Sequence, residues 1–127
     1  MSGGLYALGM ELDWTDGPLA QGLACYRAGE FFEAHEHWEL VWLELPEPEK
    51  SFLQALIQVS AALHHFRRGN PVGAISLLRR ALRRLERSDA CFAGVHVAML
   101  RQGVREWLGG LENGEVPEHM PEIGLEI

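Results

Sequence analysis

A chain of 127 residues, 47% of them apolar and 23% charged, has the size of one domain and enough apolar bulk for a core, which excludes a disordered chain. Its formal net charge of -7 argues against indiscriminate nucleic-acid binding. The two cysteines, Cys25 and Cys91, stand far apart and outside any CxxC pattern, so zinc-finger and disulfide-scaffold readings fail and two reduced, packed thiols are expected.

No window reaches the roughly 18 uncharged apolar residues of a membrane span, and the first residues lack the basic start and long apolar run of a secretory signal. A cytoplasmic protein with no membrane association is expected. Leu, Ala, Glu and Arg dominate while Val and Thr are scarce, which favours helices over sheets. Charge is unevenly spread: residues 1–66 carry ten acidic and two basic groups, residues 67–105 two acidic and nine basic, and residues 106–127 six acidic ones without a base.

In chain order, residues 1–15 show no sustained period and read as an irregular arm, with Leu5, Tyr6, Leu8, Leu12 and Trp14 available to lie on a core. A helical core follows over 16–111. Its first helix begins at Asp16-Gly17-Pro18, a capping residue with proline in the first turn, and ends at Gly29. The second, from Glu30 to about Leu45, carries GEFFEAHEHWELVW (29–42) and is stopped by Pro46 and Pro48. At about 100° per residue, Phe31, Ala34, Trp38, Val41, Trp42 and Leu45 share one face, with His35 at its edge. Glu39 lies one turn on and Glu36 slightly further round, whereas Glu33, His37 and Glu44 point to solvent. The third helix, from Pro48 to Gly69, is apolar almost all round and belongs at the centre of a bundle. Gln54, Gln58 and His65 recur on one narrow stripe of it, and His64 lies on a different side. The fourth starts at Asn70-Pro71 and runs to about Ser88, with Ile75, Leu78, Ala81, Leu82 and Leu85 inward. The fifth spans about Cys91 to Leu111, weakened by Gly103 and loosened by Gly109-Gly110. Residues 112–127 form an irregular acidic tail in which Ile123, Leu125 and Ile127 alternate as in an extended segment.

A shift of 40 residues pairs Leu23 with Leu63, Tyr26 with Phe66, Arg27 with Arg67, Gly29 with Gly69, Ala34 with Ala74 and Trp38 with Leu78. Such self-similarity marks stacked helical hairpins. The hairpins look tetratricopeptide-like, the second more than the first. Two units are fewer than an open superhelix requires. The expected fold is therefore all-α: a compact bundle of about five helices, two repeat-like hairpins plus a C-terminal helix.

The ionisable residues of the second helix need polar company if they turn inward. Its His and acids give no HExxH motif, because Glu39 stands where the second His would be. A carboxylate metal site in a bundle draws ligands from facing helices. His35, Glu39 and His65 are the weak candidates, with no second Glu-x-x-His pair to complete them. No metal and no cofactor are expected. The favoured arrangement is an interior hydrogen-bond network of His35, Glu36, Glu39, Gln54 and Gln58, with His65 on the same stripe, joining helices two and three. Catalysis by His35, Glu36 and Glu39, as a small metal-binding protein or hydrolase-like enzyme, is the alternative. No phosphate loop, GxSxG elbow or Cys-His-Asn arrangement appears.

Arg79, Arg80, Arg83, Arg84 and Arg87, joined by Arg67 and Arg68, lie on adjoining flanks of the fourth helix, where a solvated or carboxylate-paired face is the plain expectation and a surface for an anionic partner is the alternative. No aromatic residue is interleaved among them, which disfavours single-strand stacking and leaves nucleic acid the weaker partner. A protein partner fits better, and apolar residues left over on helices one and five are compatible with a homodimer.

GEFFEAHEHWELVW, FLQALIQVSAALHHFRRGN and GAISLLRRAL together resemble the domain-of-unknown-function family number 309, short all-helical prokaryotic proteins with an EAHE-x-WE helix. The resemblance covers roughly residues 19–87 and implies two helical hairpins and a further helix, with no settled activity. Ala55 stands where that family tends to glycine. The leading expectation is a non-enzymatic interaction or scaffold module.

Overall fold

The computed structural model describes residues 12–126. Among them five helices follow one another: α1 Gly17–Arg27, α2 Phe31–Trp42, α3 Glu49–Arg67, α4 Pro71–Leu85 and α5 Val97–Glu112. A hairpin of β1 Cys91–Phe92 and β2 Val95–His96 separates α4 from α5. The all-α bundle expected from composition is the fold found. Leu5, Tyr6 and Leu8 of the expected arm, and Ile127, lie outside the described residues.

α3 is the centre, as its apolar circumference requires: Phe52, Leu53, Ala55, Leu56, Val59, Ala62 and Leu63 are all buried. It packs against both α2 and α4, while α1 packs on α2 and α5 on α4. No described helix is long and apolar enough to cross a membrane.

The internal repeat is visible at both corners. Gly29 and Gly69 each take φ +79°, a left-handed conformation that glycine adopts without steric cost. Each turn closes with the same bonds: Gly29 N–H donates to Tyr26 O at 3.0 Å and Glu30 N–H to Cys25 O at 2.8 Å. Gly69 N–H likewise reaches Phe66 O at 3.0 Å and Asn70 N–H reaches His65 O at 2.9 Å. This is the Schellman pattern of helix ends. Ala34 and Ala74 are both fully buried where the paired backbones approach, as are Trp38 and Leu78. The corners also touch through Arg67, whose guanidinium donates to Gly29 O and lies 4.6 Å from the Phe31 ring centre. Capping is unequal. Asn70 accepts from Gly73 N at 3.0 Å, whereas Asp16 makes no side-chain cap although the sequence favours one there.

The segment before α5 departs from expectation. The helix begins at Val97 and not near Cys91, because Ala93 (φ +52°) and Gly94 (φ +82°) form a two-residue turn that pairs Cys91 with His96 and Phe92 with Val95. Positive φ at both central residues is the primed hairpin geometry. Trp14 Nε1 donates to Ala93 O at 2.8 Å, and Phe92 meets Phe52 of α3 edge to face at 5.2 Å. Those contacts hold the turn on the core. The tail then returns extended, with Ile123 buried and Leu125 bridged to Val95. Gly103 makes room for it: a Cβ there would come within 2.9 Å of Pro121 Cα. Cys25 is half-buried and Cys91 exposed, so the expected packing of both thiols does not hold.

Candidate functional site

α2 brings its histidine and acids to the bundle differently from the network expected. Its fully buried line is Phe31, Ala34 and Trp38; Val41 and Trp42 are only half-buried. A face centred on that narrower line leaves Glu36 about 160° from Trp38, towards water. Glu36 is indeed exposed. His35 Nε2 pairs with Glu39 Oε2 at 3.3 Å within the same helix, and the Glu39 side chain is 54% exposed. Neither Glu36 nor Glu39 hydrogen-bonds to Gln54 or Gln58 among the described residues, so the interior network between α2 and α3 is not formed.

What meets α2 from α3 is aromatic. The Phe32 ring lies 6.0 Å from the His35 ring and 5.3 Å from that of His64. His64, set apart in the sequence reading, is the histidine that faces His35. His65 instead lies at the α3–α4 corner, its Nδ1 3.2 Å from Asn70 Nδ2. Burial pushes the His64 imidazole below its ordinary 6.5, aided by Arg68 and His65 and opposed by Glu33. His35 Nδ1 is buried and makes no hydrogen bond. The most deeply buried carboxylate lies outside the EAHE-x-WE helix. It is Glu49, 1% exposed in the first turn of α3, where the helix dipole favours negative charge.

The glutamine stripe of α3 leads to the arginines. Gln54 is half-buried. Gln58 is only 7% exposed, and its Oε1 is buried and unpartnered. It forms the floor of a cleft of about 260 Å³ walled by Arg80, Arg83, Arg84 and Arg87 of α4 and the turn after it. Arg79 is taken by an ion pair with Glu112. Arg84 Nη1 lies 3.5 Å from Ser51 Oγ. Among the described residues, no carboxylate lies within ion-pairing distance of Arg80, Arg83 or Arg87. The cleft therefore presents several guanidinium forks around one buried acceptor. Forks bind carboxylates bidentately, and the acceptor asks for an N–H or O–H donor.

A larger groove of about 800 Å³ runs between the α1–α2 corner, the end of α3, α5 and the tail. Its strongest donors are already bound to backbone. Arg27 Nη2 donates to Ile123 O at 2.7 Å, Trp107 Nε1 to His119 O at 2.8 Å, and Tyr26 Oη to Pro121 O at 2.5 Å. These bonds fasten the tail, so the groove is a seam of the fold. One further cluster has no signature in the sequence: Cys91, His96 and Glu126 gather where the tail crosses the hairpin. No spacing rule links them, since the third comes from a strand register visible only once the chain is folded.

Residues 19–77 match the family model described as "Domain of unknown function (DUF309)". An uncharacterized protein of Aquifex aeolicus (strain VF5) is 33% identical over 101 residues, covering 79% of this chain and 30% of that protein. The uncharacterized protein YpuF of Bacillus subtilis (strain 168) is 38% identical over 58 residues, covering 45% of this chain and 33% of its own length. The chain thus spans about a third of the length of these relatives. The Aquifex alignment extends well beyond the family segment.

Proposed function

We propose that the chain is a non-enzymatic interaction module that receives an acidic segment of a partner protein on the arginine face of α4. The observation that carries this reading is the cleft over Gln58. Three arginines without carboxylate partners stand around a buried acceptor that no group of the described chain satisfies. An extended acidic peptide brings both things the cleft lacks: carboxylates for the guanidinium forks, and backbone N–H groups for Gln58 Oε1. An esterified phosphate, whether a monoester dianion or a diester, supplies charge without a donor of its own. The lack of aromatic side chains in the cleft removes the stacking platform that single-stranded nucleic acid uses. The exposed Val72 and the half-buried Ile75 border a second depression with Arg79, Arg80 and Arg83, so apolar contact is at hand beside the charge.

The test is fluorescence anisotropy with a labelled oligoglutamate peptide and, separately, a labelled oligonucleotide, each at low and moderate salt. The peptide is expected to bind, to weaken with salt, and to lose about ten-fold in affinity on Arg80→Glu or Arg83→Glu. Gln58→Leu removes the acceptor and is expected to weaken the peptide as well. Binding of the oligonucleotide alone, or a peptide affinity indifferent to charge reversal, overturns the reading. Catalysis by His35 with Glu36 and Glu39 has one observation behind it, the His35–Glu39 pair with an unpartnered Nδ1. The exposed placement of Glu36 weighs against it.

A further inference from the structure

We propose that Cys91, His96 and Glu126 form a binding site for a divalent transition-metal ion, zinc foremost, that joins the C-terminal tail to the β1–β2 hairpin. The backbone brings the three together from separate places. Cys91 and His96 are register partners across the hairpin, so their side chains leave the same face of the two-stranded ribbon. Glu126 arrives on the tail, which is locked to the hairpin by two hydrogen bonds. His96 N–H donates to Gly124 O at 2.8 Å and Glu126 N–H to Gly94 O at 2.8 Å, and together they make Leu125 the antiparallel bridge partner of Val95.

The side-chain geometry fits a small tetrahedral ion. Cys91 Sγ and His96 Nδ1 are 3.7 Å apart. Bond lengths of about 2.3 Å to sulfur and 2.0–2.1 Å to nitrogen at a tetrahedral angle put S and N about 3.6 Å apart around zinc. One carboxylate oxygen of Glu126 completes a set whose three ligand atoms lie within 4.8 Å of one another. Cys91 and Glu126 are both exposed, so their side chains have room to turn towards the ion.

The donor set selects the ion. A thiolate and an imidazole suit zinc and its borderline neighbours, whereas calcium and magnesium prefer oxygen throughout. Three protein ligands leave one vertex for water. Each ligand is anchored on paired backbone, which holds down the ordering cost of binding. The ion would act as a clasp between the tail and the hairpin, with both cysteine and glutamate open to solvent for its entry.

Cobalt is the probe, because thiolate-to-cobalt charge transfer reports sulfur coordination directly. The full chain, stripped with chelator and titrated with Co²⁺, is expected to take up one equivalent with a charge-transfer band that Zn²⁺ abolishes. Cys91→Ser should remove the band, His96→Gln and Glu126→Gln should weaken the affinity about ten-fold or more, and Cys25→Ser should change nothing. In the unmutated chain, Zn²⁺ should slow iodoacetamide alkylation of Cys91 and leave Cys25 unaffected, which tests the site without relying on a variant's folding. The proposal fails if no band appears, if the band survives Cys91→Ser, if Glu126→Gln binds as tightly as the native chain, or if zinc leaves Cys91 alkylation unchanged.

Discussion

His64 is the ionisable residue whose environment has the clearest consequence. In the folded chain its imidazole is held below 6.5, first by burial against Phe32 and α2, then by Arg68 and His65. The unfolded chain therefore binds more protons than the folded one as the medium acidifies. The associated stability is fully present above 6.5 and is lost as pH falls through that value towards the lowered folded one. Urea midpoints measured from neutral to mildly acidic pH should decline through this window, and His64→Gln should flatten the decline. An unchanged slope in the variant would assign the effect to another group. Helical spacing puts His65 on the polar stripe of α3 and His64 elsewhere. It does not determine which side α2 covers, because α3 is apolar almost all round and a helix of that kind does not announce its neighbours.

The two hairpins show how an element's sequence is tuned to its partner. A Cβ on Gly22 of α1 would fall 2.3 Å from Trp38 Nε1, so the indole occupies the space a side chain would need. The indole is held there by a 3.2 Å bond to Leu19 O. Forty positions later the corresponding pair is Ala62 and Leu78, both fully buried. The first unit joins glycine to tryptophan, and the second carries alanine and leucine at the equivalent positions. Exchanging one pair for the other tests whether the match is one of volume. Gly22→Ala alone should destabilise by about 1–3 kcal/mol through overpacking, despite its gain in helix propensity. Trp38→Leu alone should destabilise through lost burial, by a cost of the same order or larger. The double variant should be more stable than the sum of the two losses implies, as a double-mutant cycle in denaturant would measure. Additive losses would show that the two positions do not share one space.

Helices were the legible part of this chain. Proline and glycine punctuation at Gly29, Pro48, Gly69 and Pro71 sets their limits within a few residues, and the 40-residue period anticipates the matching corners. The hairpin before α5 was not legible. Its turn needs Ala93 in a left-handed conformation, which costs about 1–2 kcal/mol for a residue bearing a Cβ, and no local rule selects alanine for it. Trp14 and Phe52, far away in sequence, hold it in place. The candidate cleft was half legible: the arginine face could be read at i, i+4 spacing, while the burial of Gln58 beneath it required the packing of α3 on α4.

At the scale of the whole molecule, acidic and basic charge are drawn apart on α2 and α4, while Arg79 pairs with Glu112 of the C-terminal acidic block. The acids of α2 border a shallow depression with His37 and Leu40, and the arginines of α4 form their own face. Among the described residues, the large apolar side chains left exposed include Phe32 and Leu40 of α2 and Val72 of α4, and, of the two helices expected to carry them, only the fifth does, at Met99. Leu40 is 69% and Val72 77% exposed, while α1 contributes none of the large exposed ones. The tail closes the structure from outside. Tyr26 Oη donates to Pro121 O from a site so buried that its phenol is pushed far above the ordinary value of 10. Tyr26→Phe keeps the ring's burial and removes that bond, so it should cost about 1–2 kcal/mol. Amide exchange in residues 119–125 should quicken more than in α3. Uniform acceleration throughout would show that the tail is not fastened separately.

The single guanidinium of Arg67 spans both corners of the repeat, since it belongs to the second and seats itself on the carbonyl and aromatic ring of the first. A strut of this kind makes the two bends mechanically dependent. Moving either corner away from the other would have to break the guanidinium's bond to the Gly29 carbonyl or its seat on the Phe31 ring.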